Sequence, residues 1–391
     1  MKTKLAIVVC LLATGVCRAQ PAYKIALKGA NPSRSLPLSA AGGGVLYVAF
    51  RSWDWLGSSK KLQVVAYDLS TGRELRRATI NVPHVHGTRV AEGLYLSEDG
   101  QMLAYAEAHK PYLVLLISTR NLSELRRSAT LPLTDVADEA PGIIIRDVFG
   151  GFDSRGLLSF AFSEKQGLRF LRVDPSNLKV VSNVTAKGLN QEQSEPIVWS
   201  PPARRTWIMG WLPDAWKEFT EDGQPADESF DRVTEESYGA IGLGKGKLIA
   251  FSGRFEGLIT VYIGRKPSNL RLSCGPQGYG VSDSPEYVGG ICISGRIGPH
   301  GRETVLSSEF LLIRPDPLAV VWRREMHLID VGEWIGEDHE FYQRATPLIH
   351  TAAHEVWVVA PERSPELSVY RVPIPENDRN QPTRGPAASA H

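Results

Sequence analysis

Cysteine is scarce: this 391-residue sequence has four, and two of them, Cys10 and Cys17, fall within the first twenty residues. No Cys-x-x-Cys pair or Cys/His spacing is present, which removes the common zinc and dithiol motifs. An excess of one charge is missing too. The 44 Lys and Arg stand against 43 Asp and Glu, a balance that gives no electrostatic case for a nucleic-acid or anionic-membrane binder. Long apolar runs are absent; the longest, Leu5–Val16, is well short of the roughly twenty residues a membrane-spanning helix needs. There is no Gly-x-Ser-x-Gly elbow, no Gly-x-x-x-x-Gly-Lys-Ser/Thr loop, no His-Glu-x-x-His and no EF-hand loop, so the commonest signatures of hydrolases, nucleotide binders and calcium sensors do not apply.

The first segment is short, starts with Lys2 and Lys4, continues through that apolar run and offers the small Ala19 before Gln20. This predicts a secretory signal peptide over 1–19 and an exported protein, periplasmic or extracellular. Removal of Lys2, Lys4 and Arg18 leaves 41 basic against 43 acidic residues. Lipidation at Cys17 is the alternative, and Val16 before it is not the small residue such processing wants. Cleavage leaves Cys274 and Cys292, which in an oxidising compartment are expected to form one disulfide rather than remain two buried thiols.

The 36 Gly and 26 Pro have no period and punctuate many short, alternating or β-branched runs, the pattern of antiparallel strands. One unit reads Val45–Phe50, Lys61–Gly72, Arg73–Ile80. A second repeats the order with Gly93–Ser97, Met102–Ala106, Tyr112–Ser118 and Leu122–Leu131. Further copies start near Gly142, Pro196, Gly239, Val288 and Pro347. A period of roughly 43 to 58 residues is that of a four-stranded propeller blade. The expected fold is therefore all-β: a seven-bladed β-propeller of four-stranded antiparallel blades over 20–375. Tyr23–Leu27 should complete the last blade, and 376–391 should be a disordered C-terminal tail.

Leu96-Ser-Glu-Asp-Gly-Gln-Met-Leu-Ala-Tyr105 resembles the first hairpin, and Tyr67-Asp-Leu-Ser-Thr-Gly-Arg-Glu-Leu75 the third turn, of bacterial WD-repeat-like and YVTN-type β-propellers. The Gly-His and Trp-Asp dipeptides of true WD repeats are missing. The resemblance implies a propeller, and such rings carry binding platforms and several enzyme families, so fold alone leaves function open.

Repeat alignment puts Glu92, Glu139, Glu195, Glu236 and Glu286 just ahead of what read as innermost strands. Converging on one mouth of the channel, they would attract a basic peptide or a divalent cation such as calcium, the only cofactor the sequence suggests. The plainer reading is that each acid solubilises its own loop. His84 and His86 supply too few ligands for a metal. Trp211–Asp231 reads as a long acidic insertion with Trp211, Asp214 and Trp216 as partner-binding residues. The resulting expectation is a propeller that binds a protein or peptide partner at one face of the ring. The alternative is a lactonase-like or other metal-assisted hydrolase using the acidic mouth. No catalytic residue is nominated, and the balance leans away from an enzyme.

Overall fold

The computed structural model describes residues 20–31, 37–86, 92–107, 113–128, 149–164, 167–187, 198–199, 206–211, 215–231, 237–244, 247–252, 257–263, 266–282, 286–297, 303–325, 347–352, 355–362 and 364–373. Every regular element among them is a strand. After β1 (Tyr23–Ala26), the first sheet is β2 (Leu38–Gly42), β3 (Val45–Trp53), β4 (Ser58–Asp68) and β5 (Glu74–His86). The second is β6 (Glu92–Leu96), β7 (Met102–Glu107), β8 (Leu113–Ser118) and β9 (Glu124–Ser128). The third is β10 (Phe149–Phe152), β11 (Leu158–Glu164), β12 (Gly167–Asp174) and β13 (Lys179–Lys187). The fourth is β14 (Val198–Trp199), β15 (Thr206–Trp211), β16 (Ala215–Thr220) and β17 (Pro225–Asp231). The fifth is β18 (Ser237–Gly244), β19 (Lys247–Ser252), β20 (Gly257–Ile263) and β21 (Lys266–Leu272).

Each of these five is a four-stranded antiparallel meander in chain order. The remaining strands, β22 (Gly275–Ser282), β23 (Val288–Ile297), β24 (Glu303–Pro315), β25 (Leu318–Glu325), β26 (Leu348–Ala352), β27 (Glu355–Pro361) and β28 (Glu366–Pro373), join β1 in an eight-stranded sheet. That sheet is two meanders fused by a short parallel pairing of Val281 with Leu348 and Ser282 with Ile349. The N-terminal β1 supplies the outer strand of the second meander, pairing antiparallel with β28 from Tyr23↔Val369 to Ala26↔Glu366.

Burial within a meander follows strand position. The middle strands β7 and β8 are buried on both faces, while β9 is exposed along nearly its whole length. Middle strands therefore read as unbroken apolar runs, and outermost ones as polar. The core lies between sheets. One cluster joins Tyr47, Val64 and Leu62 of the first sheet to Leu103, Tyr105 and Leu115 of the second. Others join the second sheet to the third, the fifth to β23 and β24, and the first to β1, β27 and β28. Each such side chain contributes about 1.5–3 kcal/mol on burial.

First strands touch in succession: β2 meets β6, β6 meets β10, β10 meets β14, β14 meets β18, β18 meets β22, β22 meets β26, and β26 meets β2. Small residues make this approach possible. A Cβ on Gly42 would collide with the Leu96 side chain of β6.

Two sequence expectations change. The Gly-, Pro- and Ser-rich stretch between the strand-like runs Leu270–Cys274 and Tyr287–Ser294 has the composition of a turn, yet it contains β22, the first strand of its meander. The Trp211–Asp231 segment is not an insertion. Its two runs are β16 and β17, the third and fourth strands of the fourth sheet, joined at a tight Glu221-Asp222-Gly223 turn in which Gly223 takes φ +78°. Acidic composition masked the alternation of Ala215–Thr220.

Candidate functional site

Antiparallel meanders place two kinds of connection at each end of the sheets. The second-to-third-strand turns and the sheet-to-sheet connections lie where the first strands begin, and the remaining turns lie at the opposite end.

Four of the described turns at the opposite end are organised around an Asp side chain. Asp68 Oδ1 accepts from the amides and hydroxyls of Ser70 and Thr71, which hold its carboxyl below the usual range. Asp99 is lowered mainly by the Ser97 hydroxyl, Asp174 by Ser176 and Asp222 by Thr220. These acids are consumed in shaping Asp-containing turns, which leaves them little capacity for a ligand.

The end where the first strands begin is different. Between β3 and β4, Asp54 Oδ1 accepts from the amides of Leu56 (3.0 Å) and Ser58 (2.8 Å). The Asp54 amide donates to the Ser58 carbonyl, the Gly57 amide donates back to Asp54, and Gly57 takes φ +73°. A turn fixed at four points thus carries Trp55, 91% exposed, and Leu56, 58% exposed, at its tip. Exposed Lys60 and Lys61 follow on β4, and Ser58 Oγ shares a 2.5 Å hydrogen bond with His84 Nε2.

The base of this turn is braced from three directions. The Trp53 amide donates to the Gly29 carbonyl on the connection from β1. Arg51, fully buried, donates through Nε to Glu107 Oε1 of β7 (2.6 Å), and through both terminal nitrogens to the Pro83 carbonyl of β5 (3.2 Å). Tyr105 Oη donates to the same carboxylate oxygen at 2.5 Å. The guanidinium therefore ties β3 to its own outermost strand and to the neighbouring sheet. The desolvation cost of such a buried pair offsets much of its attraction, so it adds little net stability although breaking it is costly.

Of the five acidic residues expected at the mouth, the described residues include Glu92 and Glu286, and these two are not brought to the same end of the sheets. Glu286 lies between β22 and β23, so it sits at the end opposite to the start of the first strands. Glu92 is the first residue of β6, paired in register with Glu107. Glu139, Glu195 and Glu236 lie outside the described residues, as does Asp214. Trp211 ends β15, and Trp216 lies on β16 facing Phe230 in register. Among the described residues no group of three His, Cys, Asp or Glu side chains could hold a metal. Cys274, just ahead of β22, is bonded to Cys292 of β23, both buried in the seam with the fifth sheet.

No family model and no curated protein matches the chain. Solved structures do. The β-propeller domain of Cps50 (Swd1) from Myceliophteria thermophila superposes with a TM-score of 0.53 at 10% identity, over 90% of this chain and 99% of that one. U3-55K gives 0.53 at 10%, over 91% and 100%. Raptor from Chaetomium thermophilum gives 0.54 at 11% over 91% of this chain, which spans only 30% of the Raptor chain. The fold is a β-propeller. At such identity the likeness carries the fold alone.

In this propeller Trp55 and Leu56 form the most exposed apolar tip among the described residues. Composition could not single them out, because only the Asp54 turn geometry shows that they point away from the core. The signal available was local: Asp-Trp-Leu-Gly between two apolar strands is a turn with two residues too apolar for it.

Proposed function

We propose that the chain is an exported seven-bladed β-propeller, its ring spanning 20–375, that binds a protein or peptide partner on the face where the innermost strands begin. The succession of first-strand contacts from β2 through β26 and back to β2 supports seven blades. The pairing of β1 with β28 supports closure by strands from both ends of the chain. The leader-like first nineteen residues and the Cys274–Cys292 bond support export, because disulfides persist in oxidising compartments.

The observation that carries the binding face is the Trp55 turn. A Trp held almost fully in solvent by a turn with four backbone restraints is a preorganised anchor: little side-chain or loop entropy remains to be lost when a partner covers it. A covered Trp and Leu are worth several kcal/mol in an interface centre. Lys60 and Lys61 beside them favour a partner with acidic residues at the rim of the contact.

Selection of phage-displayed random peptides on the immobilised protein tests the reading. Selected peptides should lose about tenfold or more in affinity for W55A/L56A, while that variant melts as the parent does. Equal binding to parent and variant would remove this face. Mass spectrometry of the exported protein should find Gln20 at its start.

A further inference from the structure

The outermost strands of three consecutive sheets repeat one irregularity. In the first sheet Ala66 pairs with Arg76 and Tyr67 with Glu74, so Leu75 is an extra residue. In the second, Leu116 pairs with Arg126 and Ile117 with Glu124, which leaves Leu125. In the third, Arg172 pairs with Ser182 and Val173 with Val180, which leaves Val181. Each is a β-bulge, which re-aims the side chain of the extra residue. Leu75 is 38% exposed, Leu125 45% and Val181 54%. A bulge does not force this outcome: the corresponding one between β24 and β25 leaves Val321, which packs against a core cluster.

Basic residues flank the three extra residues along the chain, with Arg73 and Arg76 near Leu75, Arg126 and Arg127 after Leu125, and Lys179 two positions before Val181. The first two strands share the run Glu-Leu-Arg-Arg at 74–77 and 124–127. In each, the second Arg is neutralised by its Glu (Arg77 by Glu74, Arg127 by Glu124, both 2.6 Å). Arg127 also crosses the seam to donate to the Asn81 carbonyl of β5. Among the described residues no carboxylate pairs with Arg73, Arg76, Arg120 or Lys179. Arg76 is half-buried, and its Nε is shielded from solvent without a hydrogen-bond partner. A guanidinium nitrogen shielded from solvent and unpaired within the chain gains from an acceptor brought to it.

Charged residues on an edge strand ordinarily prevent sheets from pairing edge to edge. That role accounts for the arginines. It does not account for apolar residues turned outward at the same bulge three times in succession.

We propose that the rim formed by β5, β9 and β13 is a docking surface for an acidic protein segment that carries apolar side chains. Its apolar groups would cover Leu75, Leu125 and Val181, and its carboxylates would take Arg76 and the unpaired cations beside it. This surface shares no residue with the Trp55 turn and stands independently of it.

Fluorescence anisotropy of the full chain with a fluorescein-labelled peptide of alternating Glu and Leu tests the proposal. Peptides of alternating Glu and Ser and of alternating Lys and Leu serve as comparisons. The Glu/Leu peptide should bind, and more weakly as salt rises. The other two should bind about tenfold or more less tightly. L75S/L125S and, separately, R76Q should each weaken the Glu/Leu peptide about five- to tenfold, with W55A/L56A unchanged. The substituted leucines are exposed, so melting curves should match the parent. Failure of the Glu/Leu peptide to bind, equal binding of either comparison peptide, or unchanged affinity in both rim variants would overturn the proposal.

Discussion

Arg51 and Glu107 belong to different sheets, yet they meet as an ion pair in which neither side chain reaches solvent. The Pro83 carbonyl and the Tyr105 hydroxyl complete the network. Removing one partner strands a buried charge, so E107Q or R51M alone should cost about 3–5 kcal/mol in urea unfolding. R51M/E107L removes both charges at similar volume and should recover most of that loss. Additive losses in the double variant would show that the two residues act separately.

Tyr23 of β1 donates its hydroxyl to the Leu69 carbonyl at 2.6 Å. Burial first and the Asp68 carboxylate second push this phenol well above its ordinary value. A raised folded-state pKa gives stability that is fully present below the unfolded value of about 10 and is lost as pH rises beyond it. Tyr67 and Tyr370 are raised in the same direction, chiefly by burial. The protein should therefore destabilise above about pH 10. Y23F should lose about 1 kcal/mol at neutral pH for the missing hydrogen bond and show a shallower alkaline decline. An equally steep decline in Y23F, read from melting curves, would remove Tyr23 from the linkage.

The disulfide closes a separation of 18 residues. Loop-closure entropy for that length is worth about 3 kcal/mol, and both sulfurs lie in the apolar seam between the fifth sheet and β23. Reductant should lower the melting temperature, and C274A/C292A should be insensitive to reductant and less stable by at least that amount. Thiol titration of the denatured, unreduced protein should detect neither residue.

Middle strands were the most legible part of the fold, since runs such as Leu113–Ser118 are apolar on both faces and end at turn residues. Turn chemistry was legible too: Asp68–Gly72 and Asp99–Gly100 form the turns their side chains specify. First strands were not. Leu38–Gly42 and Gly275–Ser282 are built from small residues because they converge, and in sequence that composition reads as a loop. Reading β22 as a turn made β23 look like the first strand of its meander and so placed Glu286 at the end opposite to the one it occupies. The Arg51–Glu107 pair left only a faint mark, a charge at the end of the second-strand apolar run in each of the first two sheets. The bulged Leu75 and Leu125 could be read only from strand register, although the repeated Glu-Leu-Arg-Arg was visible.

Packing between the third and fourth sheets rests on Phe170 of β12 and Phe219 of β16, with ring centroids 5.3 Å apart. Gly223, in the turn that follows Phe219, lies against the same Phe170 ring, where an added Cβ would overlap the ring carbons. G223A should therefore suffer twice: a left-handed conformation costs about 1–2 kcal/mol for a residue with a Cβ, and forcing a methyl into the ring costs about 1–3 kcal/mol more. Gly100 supplies the comparison. Its φ of +69° is nearly the same, but nothing lies within 4 Å of the position its Cβ would take. G100A should lose only the conformational part, and the difference between the two variants in urea unfolding measures how tightly the third and fourth sheets pack. Equal losses would mean that Phe170 yields freely and that this seam is held by other contacts, with the Ser154–Glu221 hydrogen bond at 2.6 Å the next to remove.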